Sequence, residues 1–173
     1  MPPSSIYQVA YVVESLEDSA RHWASSTGAG PFLLFDPFEF VAPVYKGKPC
    51  DVNMGIALGF SGGLCVELIV QHDDGPSIYS DWQRERGFGL HHVAMLADDF
   101  ATTMSAHAEN GLKSIFSGGF GENTHLAYLD TRDSLGCFLE VVEHTDFVRG
   151  ALSALRQDHE SWDGTDVLRP FSP

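Results

Sequence analysis

The chain has 173 residues, of which 43% are hydrophobic and 20% charged, with a formal net charge of −14. That length predicts one domain, or two small halves around a shared core, of an ordinary globular composition. The acidity excludes the nucleic-acid backbone and anionic membrane surfaces as partners, because like charges repel.

No run approaches the roughly 18 apolar residues of a membrane span, and the opening MPPSSIYQ lacks the basic and apolar regions of a secretion signal. A cytoplasmic protein is expected. Cys50, Cys65 and Cys137 are odd in number and show no CxxC spacing, so they read as buried thiols in a reducing compartment.

In chain order, Ile6–Val13 is an almost continuous apolar strand broken by Gln8. Ser15 then caps a helix whose apolar face carries Leu16, Ala20, Trp23 and Ala24, and Gly28 and Gly30 stop it. Phe32–Phe40 is aromatic and extended, since Pro31, Pro37 and Pro43 bar a helix. Residues 42–52 predict an irregular loop, and 53–60 with 64–70 a hairpin turning at Ser61-Gly62-Gly63. The polar stretch 71–89 predicts a linker, placed at 76–89, in which Pro76 can start a short helix.

The order then repeats: strand 90–97, helix 99–110, strand 112–117, a glycine-rich turn at 118–123, and strands 124–130 and 136–142. The fold class expected is α+β, with two βαβββ modules (1–75 and 90–144) contributing eight strands to a curved mixed sheet. Residues 145–162 predict an amphipathic helix within a C-terminal extension, 145–173. Whether this extension folds back or meets a partner subunit is not readable from sequence.

The repeat is also legible in the residues. An offset of 84 lays Gln8 under His92, Val9 under Val93 and Ala10 under Ala94. The last strand of each half carries one acid in an apolar run, Glu67 in LCVELIV and Glu140 in CFLEVVE. Strand alternation puts Gln8 on the face of Ala10 and Val12, and His92 on the face of Ala94 and Leu96, while adjacent His91 is expected on the opposite face. Small alanines beside the polar residues leave a hollow. Taken singly, Gln8 reads as a hydrogen-bonding edge residue, His92 as a satisfied core imidazole, and each glutamate as solvent-facing. Taken together, buried carboxylates need partners, and two carboxylates, an imidazole and an amide oxygen can share one divalent cation. Such N/O ligation suits Zn, Ni, Co, Mn or Fe(II), and leaves positions open for substrate.

The segments IYQVAYVV, LCVELIV, GLHHVAM and GCFLEVVE resemble the metal-bearing strands of the vicinal-oxygen-chelate superfamily, which includes glyoxalase I, methylmalonyl-CoA epimerase, extradiol dioxygenases and bleomycin-resistance proteins. The resemblance spans roughly residues 6–143 and is nearest the epimerase and glyoxalase I branches. It implies metal positions at Gln8, Glu67, His92 and Glu140, one divalent metal, a homodimer and a small-molecule substrate. It further implies proton movement beside a chelated carbonyl of a 2-oxo acid, thioester or thiohemiacetal, by an isomerase, epimerase or lyase in which Glu140 and Glu67 are the catalytic carboxylates. The epimerases have His where this chain has Gln8. Two other readings stay open: a metal-free binder of small molecules, favoured by the aromatic FLLFDPFEF, and an Fe(II) ring-cleaving dioxygenase, which Gln8 disfavours. Tyr128 and Phe32 are candidates for pocket walls, Lys46, Lys48, Arg84 and Arg86 for phosphate contacts, and the remaining histidines for surface or local hydrogen bonding.

Overall fold

The computed structural model describes residues 5–121 and 123–171. In chain order the elements are β1 (Ile6–Val12), α1 (Leu16–Thr27), β2 (Phe32–Phe38), β3 (Val41–Tyr45), β4 (Lys48–Pro49), β5 (Met54–Ser61) and β6 (Leu64–Gln71). These are followed by α2 (Ile78–Arg86), β7 (Gly89–Ala97), α3 (Phe100–Glu109), β8 (Ser114–Phe120), β9 (Thr124–Leu129), α4 (Arg132–Leu135), β10 (Phe138–Glu143), α5 (Asp146–Glu160) and β11 (Leu168–Pro170). The class is α+β, as expected.

Local chemistry sets most boundaries. The Ser15 hydroxyl accepts from the Asp18 N–H at 3.1 Å to open α1, and Gly28, at φ 72°, closes it in the left-handed conformation that glycine adopts without strain. Asp99 and Thr145 cap α3 and α5 in the same way. Ser77 and Ser80 form a reciprocal capping box at the start of α2.

All strands join one mixed sheet in the order β11-β2-β5-β6-β1-β7-β10-β9-β8-β3-β4. At its centre β1 and β7 run antiparallel, and each is paired in parallel with the last strand of its own half, β6 or β10. One face carries α1 and α3 over two apolar clusters, around Phe32, Val66 and Leu68 and around Leu139 and Val141. The other face carries the largest core cluster and α5.

Several expectations need correction. The sheet has eleven strands rather than eight, because 42–52 is not an irregular loop: β3 pairs with β8 across the molecule, a non-local partner that local composition does not announce. The tail adds β11, which pairs with β2. Gly118 to Phe120 continue β8 rather than turning, so the turn falls at Gly121. Finally, Cys50 is half-buried although Cys65 and Cys137 are buried, and His107 is buried rather than superficial. The stretch read as a polar linker holds α2, which buries Ile78, Tyr79 and Trp82. Among the described residues, no helix is long and apolar enough to cross a membrane.

Candidate metal centre

The centre of the sheet places the four polar strand residues in two adjacent rows. In one row Glu67, Ala10, His92 and Phe138 are register partners across β6, β1, β7 and β10. In the other, Cys65, Gln8, Ala94 and Glu140 are. Ala10 and Ala94 therefore lie between the functional groups, each with 0% exposure, and their single-carbon side chains leave room above the sheet for the longer ones. Gln8, Glu67, His92 and Glu140 are all buried.

The side chains converge. Gln8 Nε2 donates to Glu67 Oε2 at 2.6 Å. His92 Nε2 lies 3.3 Å from Glu67 Oε2 and 3.2 Å from Glu140 Oε2. One donor atom from each of Glu67, His92 and Glu140 falls within 4.8 Å of the others, an arrangement that can hold a metal ion. Despite those two oxygens, His92 Nε2 makes no hydrogen bond of acceptable geometry. A buried ring nitrogen with no aligned partner, facing two carboxylates, fits a shared cation better than a proton, which satisfies only one acceptor along one direction.

Burial pushes the Glu67 carboxyl up, with His92 and Gln8 opposing. Burial also depresses the His92 imidazole, but the neighbouring Glu140 and Glu67 carboxylates outweigh it and raise the group to about 9.

His91 is not on the opposite face. Ala10 pairs with His92 while Tyr11 pairs with Leu90, so β7 carries one extra residue there, a bulge that turns both imidazoles to the same side. His91 Nδ1 lies 2.9 Å from His92 Nδ1. It sits at 0% exposure with its ring 4.9 Å from Tyr79, 5.1 Å from Phe138 and 5.4 Å from Trp82. Burial, reinforced by the charge on His92, holds its pKa well below the usual imidazole value. If His92 offers the Nε2 lone pair to a cation, its Nδ1 carries the proton, and neutral His91 is the acceptor.

Gln8, Glu67 and Glu140 open into a cavity of about 100 Å³. Its polar rim also includes Tyr7, Tyr79 and Tyr128, and the hydroxyls of the latter two lie 3.1 Å apart. Phe38, Phe40 and Phe120 form part of its wall, and α5 supplies more of it through Val148, Leu152 and Leu155. Tyr128 thus lines the pocket as expected. Phe32 does not, being at 0% exposure in the core on the other face. Sequence reasoning missed His91, Tyr79 and the roof formed by α5. The His pair was visible, but the bulge that aligns it was not.

The sequence profile of the Glyoxalase/Bleomycin resistance protein/Dioxygenase superfamily matches residues 7–128, a span that holds Gln8, Glu67 and His92 and ends before Glu140. No curated protein is a significant match by sequence. Among solved structures, a hypothetical protein from Bacillus halodurans C-125 is similar with a TM-score of 0.60 and 18% identity, over 83% of this chain and 96% of that one. Methylmalonyl-CoA epimerase from Mycobacterium tuberculosis is similar with a TM-score of 0.59 and 16% identity, over 84% and 91%. A methylmalonyl-CoA epimerase in complex with methylmalonyl-CoA and an ammonium ion gives 0.55 and 16%, over 83% and 96%. At such identities the structural likeness establishes the fold. With more than half of its length matched by the profile, the chain belongs to the glyoxalase/bleomycin resistance protein/dioxygenase superfamily.

Proposed function

We propose that this protein is a metal-dependent isomerase, epimerase or lyase that moves a proton beside a carbonyl of a small substrate. The observation that carries this reading is the buried Glu67–His92–Glu140 cluster, with an unpartnered imidazole nitrogen facing two glutamates that line a cavity. Gln8, through its amide oxygen, and Glu67, His92 and Glu140 would hold one divalent ion, Zn, Ni, Co, Mn or Fe. A bound ion supplies Lewis acidity toward substrate oxygens.

The rest falls to the chain. Glu140 takes the proton from the carbon beside the carbonyl, and Glu67, its basicity raised by burial, shares or alternates that role. The apolar walls limit the water around the reacting carbon. The two-module organisation, 1–75 and 90–144 about a linker at 76–89, is supported by the matching strand orders β1-β6-β5-β2 and β7-β10-β9-β8. The three free cysteines suit a cytoplasmic protein, and a homodimer is the expected assembly, to be measured by sedimentation.

The deciding experiment is elemental analysis of the purified protein, before and after chelation and reloading, for wild type, His92→Ala and Glu140→Ala. About one divalent ion per chain, lost in both variants, is expected. Glu140→Gln should keep the fold and much of the metal but lose turnover. Unchanged turnover removes Glu140 from the mechanism. No metal under any loading condition leaves the second reading, a metal-free binder of small molecules, which the aromatic wall of the cavity favours. Oxygen uptake with catechols would instead identify a ring-cleaving dioxygenase.

A further inference from the structure

The cavity is small, one-sided in polarity and roofed by the chain itself. Its polar atoms are those of Gln8, Glu67, Glu140 and the three tyrosines, whereas its remaining lining is apolar. Among its described lining residues there is no lysine, arginine or histidine. An anionic group placed inside the cavity would thus lose its water and gain no partner, a large penalty against binding. At about 100 Å³ the space is somewhat smaller than the apolar cavity of about 150 Å³ known to accept benzene.

The roof is tied at both ends. Thr145, the N-cap of α5, places its hydroxyl 3.1 Å from that of Thr124. At the other end, His159 Nδ1 lies 2.6 Å from the Gly30 carbonyl oxygen, and His159 Nε2 accepts from the Gly62 N–H at 3.1 Å. Between these anchors Val148, Leu152 and Leu155 face the cavity. Three of the cations that sequence offered for phosphate contacts have partners at the surface. Lys46 and Arg84 pair with Asp81, and Arg86 donates to the Gly136 carbonyl at 3.2 Å.

We infer that, in a ligand chelated as the proposed function requires, the remainder that lies beneath α5 is uncharged and apolar, of roughly four to six carbons. The chelation rests on the metal-centred reading; the remainder rests on the cavity alone. Specificity then resides in the C-terminal helix, with Leu152 as a residue that limits length.

Hydroxamates test both points, because they present two adjacent oxygens on any chosen tail. Calorimetric titration of the cobalt-loaded protein should give about tenfold tighter binding for hexanohydroxamate and benzohydroxamate than for acetohydroxamate. A hydroxamate of equal length ending in a carboxylate should bind at least about tenfold more weakly than the neutral one. Leu152→Trp should weaken hexanohydroxamate and benzohydroxamate at least about tenfold more than acetohydroxamate, and Leu152→Ala should extend the tolerated length.

A metal-free arm separates this inference from the metal reading. Benzene, followed by NMR, should bind the chelator-treated protein saturably, and Leu152→Trp should prevent it. Benzene binding in a chain that loads no metal would discard the oxygens and retain the apolar remainder. A flat tail series, equal binding of the charged tail, or no benzene binding by a folded wild type overturns the inference.

Discussion

Ala10 and Ala94 contribute to the site by what they lack. Each separates two of the four polar side chains in its row of the sheet, and both are fully buried. Ala94→Leu inserts three further carbons between Gln8 and Glu140, which should cost about 1–3 kcal/mol in urea unfolding through overpacking and lower the metal content per chain. Normal loading in that variant would place the metal elsewhere. His91 acts through its neighbour. Phenylalanine at that position fills the aromatic cage but removes the acceptor for His92 Nδ1–H. His91→Phe should weaken metal affinity by about 10–100-fold, the usual effect of deleting such an outer partner, and His91→Asn, which restores an acceptor oxygen, should recover most of it. Equal affinity in both variants would reduce His91 to packing. The sequence disclosed the four polar residues at this scale because alternation in a strand is local. It could not disclose the orientation of His91, because a bulge is a mismatch between two strands 80 residues apart.

Among the elements, α2 and α5 complete what the sheet begins. The helix α2 brings Tyr79 to the cavity and Trp82 to His91, and Asp81 on the same helix binds the turn after β3. Tyr45 donates its hydroxyl to Asp81 at 2.6 Å, Lys46 approaches at 2.7 Å and Arg84 also pairs with it. Burial favours the protonated carboxyl, yet these partners prevail and hold Asp81 well below the usual carboxylate range. A folded-state pKa below the unfolded one means that protons favour the unfolded chain. The stabilisation from Asp81 is therefore complete above roughly pH 4 and is lost as pH falls through the folded value. Denaturation midpoints of wild type and Asp81→Asn should differ most above about pH 4 and draw together progressively as the pH is lowered below it. A constant difference would assign the effect to packing. At the far end of the molecule, His159→Ala removes two contacts to backbone groups. It should cost about 1–3 kcal/mol and raise hydrogen exchange selectively in the last turns of α5. Uniform exchange would show that the anchor does not govern the roof.

Across the whole molecule, a net charge of −14 on 173 residues sets a repulsive background against the compact state. Raising ionic strength from about 10 mM to 150 mM contracts the screening length from roughly 30 Å to 8 Å, so the melting temperature should rise over that range. A fall would mean that the surface ion pairs around Asp81 and Arg132 outweigh the repulsion.

The amino-acid sequence by itself determined the eight principal strands, the helix capped by Ser15, the helical stretches 99–110 and 145–162, and the four polar strand residues Gln8, Glu67, His92 and Glu140. Each follows from periodicity, capping chemistry or the correspondence between two stretches of one chain, all of which are properties of near neighbours. Only the tertiary structure decided that β3 and β11 join the sheet, that the imidazoles of His91 and His92 face each other, and that α5 folds back over the cavity. Those outcomes depend on which distant segments meet, because backbone donors and apolar faces are satisfied by partners far along the chain.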